Sequence, residues 1–202
     1  MNRARNRAAA VLALAALAPA AAACGEDEPR ELAGAVRDPL PEVGELALPD
    51  IANDGEPYTF GAEEDELQIV YFGYTHCPDV CPTTMADVRT ALADLGDDAE
   101  RVEVAMATID PNRDTEDVLP GYVQSFVPDA HALRTTDDTQ LREVADTFGV
   151  SYRVEEVDGE IEVAHSGSLY AVDDEGNLVV TWPFGTSSED LRLDIEALLE
   201  RT

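Results

Sequence analysis

Val70-Tyr71-Phe72-Gly73-Tyr74-Thr75-His76-Cys77-Pro78-Asp79-Val80-Cys81-Pro82 decides how this chain is read: an apolar run breaks into two cysteines four positions apart. The nearly continuous apolar character from Leu67 to Gly73 predicts a strand buried on both faces, as in a parallel or mixed sheet covered by helices. Pro82 predicts the first helical position, because proline has no N–H to lose there and its φ already suits a helix. The residue before a proline is pushed out of the helical region, so Cys81 is expected just ahead of the helix. Both thiols then sit at a sheet edge, where a strand hands over to a helix.

Outward from this junction the pattern alternates between strand and helix. Met85, Val88, Leu92 and Leu95 recur at helical spacing and stop near Gly96. A second strand is predicted over 101–109, a helix over 116–126, a short strand over 131–135 and a helix over 139–148. Residues 152–165 alternate around Asp158-Gly159, a strong hairpin signal that ends on His165. A second hairpin spans 168–182, and 188–201 reads as an amphipathic closing helix. Upstream, Asn53-Asp54-Gly55 marks the turn of an edge hairpin. The order predicts an α/β chain with a thioredoxin-like layered fold, extra helices and a β-hairpin insertion carrying the histidine.

Composition narrows the partners. The 202 residues hold 43 acidic and 13 basic side chains, all of the latter arginine, for a formal charge of -30. Affinity for nucleic acid rests on basic contacts to phosphates, so nucleic acid is excluded as a natural partner and anionic lipid headgroups are disfavoured. The acidity reads as a solvated surface, with guidance of a cationic partner as the alternative.

Arg3, Arg5 and Arg7 precede an apolar run from Ala8 to Ala18, the pattern of an export signal. Eleven residues cannot cross a hydrocarbon core of ~30 Å, which needs about 20. Four alanines then lead to Cys24, a lipobox-like cleavage site with Ala21 where leucine is usual. The expected organisation is a signal peptide over 1–23 with Cys24 lipidated, a flexible tether over 24–41, and one domain over 42–202. Loss of the leader removes three arginines and no acid, taking the charge from -30 to -33. The protein is thus expected outside the cell's reducing compartment, on the outer face of the cytoplasmic membrane and held by lipid.

With Cys24 assigned to lipid, Cys77 and Cys81 form the remaining pair, and three readings stay open. A structural disulfide closes too short a loop to stabilise much. A redox dithiol gains from a helix N-terminus, which favours thiolate, although such motifs usually have two intervening residues where this one has three. A soft-metal site uses both thiolates and needs a third ligand. His165 is the candidate, since the loop entering the next strand of a thioredoxin-like sheet lies beside the first helix. His76 adjoins Cys77, and adjacent ligands rarely converge; His131 has no cysteine near it in sequence. Tyr71, Phe72, Tyr74 and Trp182 read as packing residues.

The blocks Phe72–Pro82, Ile109-Asp110-Pro111-Asn112-Arg113-Asp114-Thr115 and His165-Ser166-Gly167-Ser168-Leu169-Tyr170 together resemble the Sco/SenC family of copper chaperones. The resemblance spans roughly 42–200. It implies a thioredoxin-like fold, membrane attachment and copper, as Cu(I) or Cu(II), bound by Cys77, Cys81 and His165. It further implies delivery of copper to the binuclear CuA site of cytochrome c oxidase subunit II or another cuproprotein, or reduction of that target's cysteines. Thiol-disulfide exchange by a Cys77/Cys81 dithiol without metal is the alternative. Asp79 and Asp110 match the family pattern and are candidates for supporting the site, against an ordinary turn and cap role.

Overall fold

The computed structural model describes residues 30–201. The leader and Cys24 lie outside the described residues, among which no helix is long and apolar enough to cross a membrane. The hairpin β1 (Ala47–Asp50) and β2 (Glu56–Thr59) is followed by β3 (Leu67–Gly73) and α1 (Val80–Leu95). A 3-10 turn leads to β4 (Val102–Thr108), α2 (Leu119–Gln124), β5 (His131–Leu133) and α3 (Asp138–Phe148). Then come β6 (Tyr152–Val157), β7 (Glu160–His165), β8 (Leu169–Val172), β9 (Leu178–Trp182) and α4 (Ser188–Leu199).

Seven strands form one sheet in the order β2-β1-β5-β4-β3-β8-β9, and β6 pairs with β7 in a separate two-stranded ribbon. Strands β3, β4 and β5 are parallel, while β8 runs antiparallel to β3. Every residue of β3 is buried, as its unbroken apolar run requires of a strand covered on both faces. Because β3 lies inside the sheet, the thiols sit at the carboxyl end of an inner strand and not at a sheet edge.

Helix α1 starts at Val80, two residues earlier than Pro82 suggests. Thr83 N–H already bonds the Asp79 carbonyl at 3.1 Å. The first four N–H groups of a helix have no partner within it, so a proline at the third position removes nothing the helix uses. Cys81 is therefore inside the first turn, and with Met85, Val88, Ala91 and Leu95 it faces the core. Helix α2 is shorter than expected: it begins at Leu119, with Pro120 in its first turn.

The tether expected through residue 41 is corrected from residue 30 onward, where the chain is stitched to the domain. Asp194, fully buried, pairs with Arg30 and accepts from Ala33 N at 3.1 Å, Gly34 N at 2.9 Å and Trp182 Nε1 at 2.8 Å. Ala35 bridges Thr181 and Glu42 bridges Asn177. Gly34 is needed at this crossing, since a Cβ there would lie 2.2 Å from Val180 and 2.7 Å from the Trp182 ring. Composition suggested mobility, but a buried carboxylate needs donors, and this segment's backbone provides them.

Candidate metal centre

Three segments meet at the carboxyl end of β3. The turn after β3 carries Cys77, the first turn of α1 carries Cys81, and the base of the β6–β7 ribbon carries His165. Cys77 Sγ, Cys81 Sγ and a His165 ring nitrogen all lie within 4.8 Å of one another. His165 Nε2 is 3.7 Å from Cys81 Sγ, and the Cys81 N–H points to Cys77 Sγ at 3.3 Å. Both cysteines are free thiols.

The two sulfurs differ electrostatically. Burial pushes the Cys77 thiol up, but hydrogen bonds from the Cys81 and Asp79 backbone N–H groups and from the Cys81 and Tyr74 side chains outweigh it, so the net shift is downward. Cys81, with no exposed surface, is pushed up to about 12, chiefly by burial. Burial lowers the His165 pKa and outweighs the opposing hydrogen bond to the Phe72 carbonyl, so the imidazole is neutral and able to donate a lone pair at neutral pH.

The surroundings hold these groups in place. Asp114, completely buried, accepts from Thr75 N at 3.1 Å, Thr75 Oγ1 at 2.5 Å and Thr108 Oγ1 at 2.6 Å, fixing the turn that leads to Cys77. His76 lies 3.6 Å from Asp114 and is half exposed, on the outside of the turn and away from the three-atom cluster. Asp110 is buried and pairs with Arg113, whose guanidinium lies 5.9 Å above the Tyr74 ring. The chain of contacts continues to the imidazole, because Tyr74 meets the His165 ring edge-on at 5.7 Å. Asp79 has an exposed carboxylate that makes no cap hydrogen bond; its backbone N–H is what reaches Cys77.

Tyr71 and Tyr74 do more than pack. Tyr71 stands edge-on to His165 at 6.3 Å, so the two tyrosines wall the imidazole. The buried Tyr71 hydroxyl favours the Cys81 thiolate without forming a bond of ordinary geometry. The continuous apolar run that contains Tyr71 marks a buried strand, and Tyr74 lies just beyond its end at Gly73, so that the two rings flank the imidazole is a feature of the folded chain. A Cβ at Gly73 would lie 2.5 Å from the Tyr71 ring, so glycine lets that ring lie across the strand end. His131 is remote from the sulfurs and bonds Asp50 at 2.7 Å.

A family model described as SCO1/SenC matches residues 50–200. The chain belongs to the SCO1/SenC family. An SCO2-like protein of Rickettsia typhi is 30% identical over 153 residues, covering 74% of each chain. The solution structure of apo Sco1 from Thermus thermophilus superposes with a TM-score of 0.70 at 29% identity, covering 83% of this chain and 96% of that one. Bradyrhizobium japonicum ScoI, solved with copper bound, matches with a TM-score of 0.64 at 28% identity over 75% of this chain and 95% of that one. The thioredoxin-like α/β fold expected of the chain is therefore the fold it has, and the β6–β7 ribbon is the insertion that brings in His165.

Proposed function

We propose that this Sco/SenC protein is a copper metallochaperone that holds Cu(I) between Cys77, Cys81 and His165. One observation carries the reading: two thiol sulfurs and one neutral imidazole nitrogen from three separate segments converge within 4.8 Å. Thiolates select Cu(I) by softness, and two thiolates with one imidazole give a three-coordinate site of net charge -1. That a family relative binds copper supports the same ion here. The cargo is passed to the binuclear CuA site of cytochrome c oxidase subunit II or a comparable cuproprotein, whose own thiolates compete for the ion. Lipid on Cys24 would hold the exported domain at the outer face of the cytoplasmic membrane, consistent with the leader pattern.

A second use of the same sulfurs has its own support. Cys77 is partly reachable and favours thiolate, while Cys81 is sealed and protonated, the asymmetry of an attacking and a resolving thiol. Reduction of a target's cysteines before they are filled with copper is thus open to the same pair.

The test is competition of the reduced protein against a chromophoric Cu(I) chelator. Wild type should take up one equivalent, and Cys77→Ser, Cys81→Ser and His165→Ala should each lose tight binding. Undiminished affinity in His165→Ala would remove the three-ligand site and leave the dithiol reading.

A further inference from the structure

Tyr71 lies inside β3 with no exposed surface, and its hydroxyl has no hydrogen-bond partner of ordinary geometry. Buried polar groups are nearly always satisfied, so an orphan inside a fold calls for a reason. Three such atoms, the hydroxyls of Tyr71 and Tyr122 and Arg113 Nη2, belong to the surroundings of the thiol pair. Cys81 and Cys77 are the charges that act most on Tyr122, and Arg113 stands over the Tyr74 ring that meets His165. All three orphans can donate a hydrogen bond, and what they surround is sulfur.

The fold makes room for the Tyr71 ring. It lies across Gly73, where a Cβ would stand 2.5 Å away, and meets His165 edge-on at 6.3 Å. The ionisable group that acts most on its hydroxyl is Cys81, through charge and through contact with the sulfur. Packing does not account for that hydroxyl, because phenylalanine would fill the same space without burying an unpartnered donor.

What Cys81 offers the hydroxyl depends on the thiol proton. A neutral thiol is a weak acceptor, whereas an anionic sulfur accepts a charge-assisted hydrogen bond about twice as strong as an ordinary one. A cysteine that binds a metal ion gives up its proton. Cys81 has no exposed surface, so water cannot solvate the sulfur once it is anionic.

We infer that Tyr71 is a positioning residue whose hydroxyl is held for the metal-bound Cys81 sulfur, unsatisfied in the metal-free protein and satisfied in the loaded one. This role rests on the three-ligand copper site proposed above and adds the group that takes the place of water at its sealed ligand.

Tyr71→Phe removes the hydroxyl alone. Two quantities are measured on one preparation: Cu(I) affinity by competition with a chromophoric chelator, and the urea midpoint of the metal-free reduced protein. Loss of a merely structural hydroxyl lowers the midpoint, whereas loss of a donor held for the ion separates the two readouts. Copper affinity should fall about tenfold or more, the range expected when a group supporting a metal ligand is removed. The midpoint should stay at the wild-type value or rise, because one unsatisfied buried group is gone. Tyr58→Phe is the comparison: its hydroxyl has a partner, Glu103 at 3.3 Å, and its ring lies against His131, remote from the sulfurs. That variant should keep wild-type copper affinity. Wild-type affinity in Tyr71→Phe, a midpoint that falls together with the affinity, or an equal loss of affinity in Tyr58→Phe would overturn the role. The copper site itself fails by a different result, full affinity in His165→Ala, so the two failures read out separately.

Discussion

Replacing Asp114 with alanine should unfold the protein more easily and weaken the metal centre together. The carboxylate is fully buried and takes two donors from Thr75 and one from Thr108. Hydrogen bonds to a charged group contribute about 1.5–3 kcal/mol each, and a buried donor left without a partner costs about 1–3 kcal/mol. The three are not independent: Thr108 Oγ1 also accepts from Asp110 N at 3.0 Å, and both hydroxyls can turn, whereas the Thr75 N–H cannot. Removing the buried carboxylate also removes its desolvation cost. The net expectation is about 2–4 kcal/mol lost. With a urea slope of about 2 kcal/mol/M for a domain of this size, the midpoint should fall by about 1–2 M at unchanged slope. Thr75 is two residues before Cys77, so Cu(I) affinity should fall about tenfold, equivalent to about 1.4 kcal/mol. Asp79→Ala, which removes an exposed carboxylate without a cap bond, is the matched control and should leave both readouts unchanged. A midpoint shift below about 0.25 M, or equal effects from the two variants, would refute the assignment of Asp114 as the brace of the thiol turn.

Gly167→Ala places a Cβ 3.2 Å from Val80 at a φ of +61°, two residues from His165. It should cost about 1–2 kcal/mol and reduce copper affinity, whereas Gly159→Ala at the open ribbon tip, φ +83°, should cost similar strain and leave copper binding intact. Iodoacetamide mapped by mass spectrometry should label Cys77 first. The Cys77 pKa lies below the ordinary value and that of Cys81 near 12, so labelling at Cys77 should rise with pH well before Cys81 reacts; preferential labelling of Cys81 would reverse the assignment of roles. A chain starting at residue 30 should match the full protein in urea. One starting at 42 leaves Asp194 buried without Arg30 and two backbone donors, and should lose about 3 kcal/mol.

The parts of the molecule set by local pattern were legible in the residues. The apolar run of β3, the Asp158-Gly159 turn and the helical stripe of α1 each encode their own structure, and the two thiols and His165 followed from those positions plus the family blocks. What was not legible depends on contacts between distant segments. The Arg30 to Gly34 strap looks like a tether because its neighbours are acidic and proline-rich, and its partner Asp194 lies 160 residues later. Likewise Tyr71 and Tyr74 read as packing residues, and only the approach of the β7 end turns them into walls of the imidazole. The start of α1 was misplaced because Pro82 is equally at home at the third helical position.

The central claim is that one copper ion joins Cys77, Cys81 and His165, and X-ray absorption at the copper edge of the Cu(I)-loaded protein tests it most directly. The account predicts two sulfur and one imidazole neighbour in wild type, with the imidazole scattering gone in His165→Ala. An unchanged spectrum in that variant, or a wild-type site without imidazole, would contradict it.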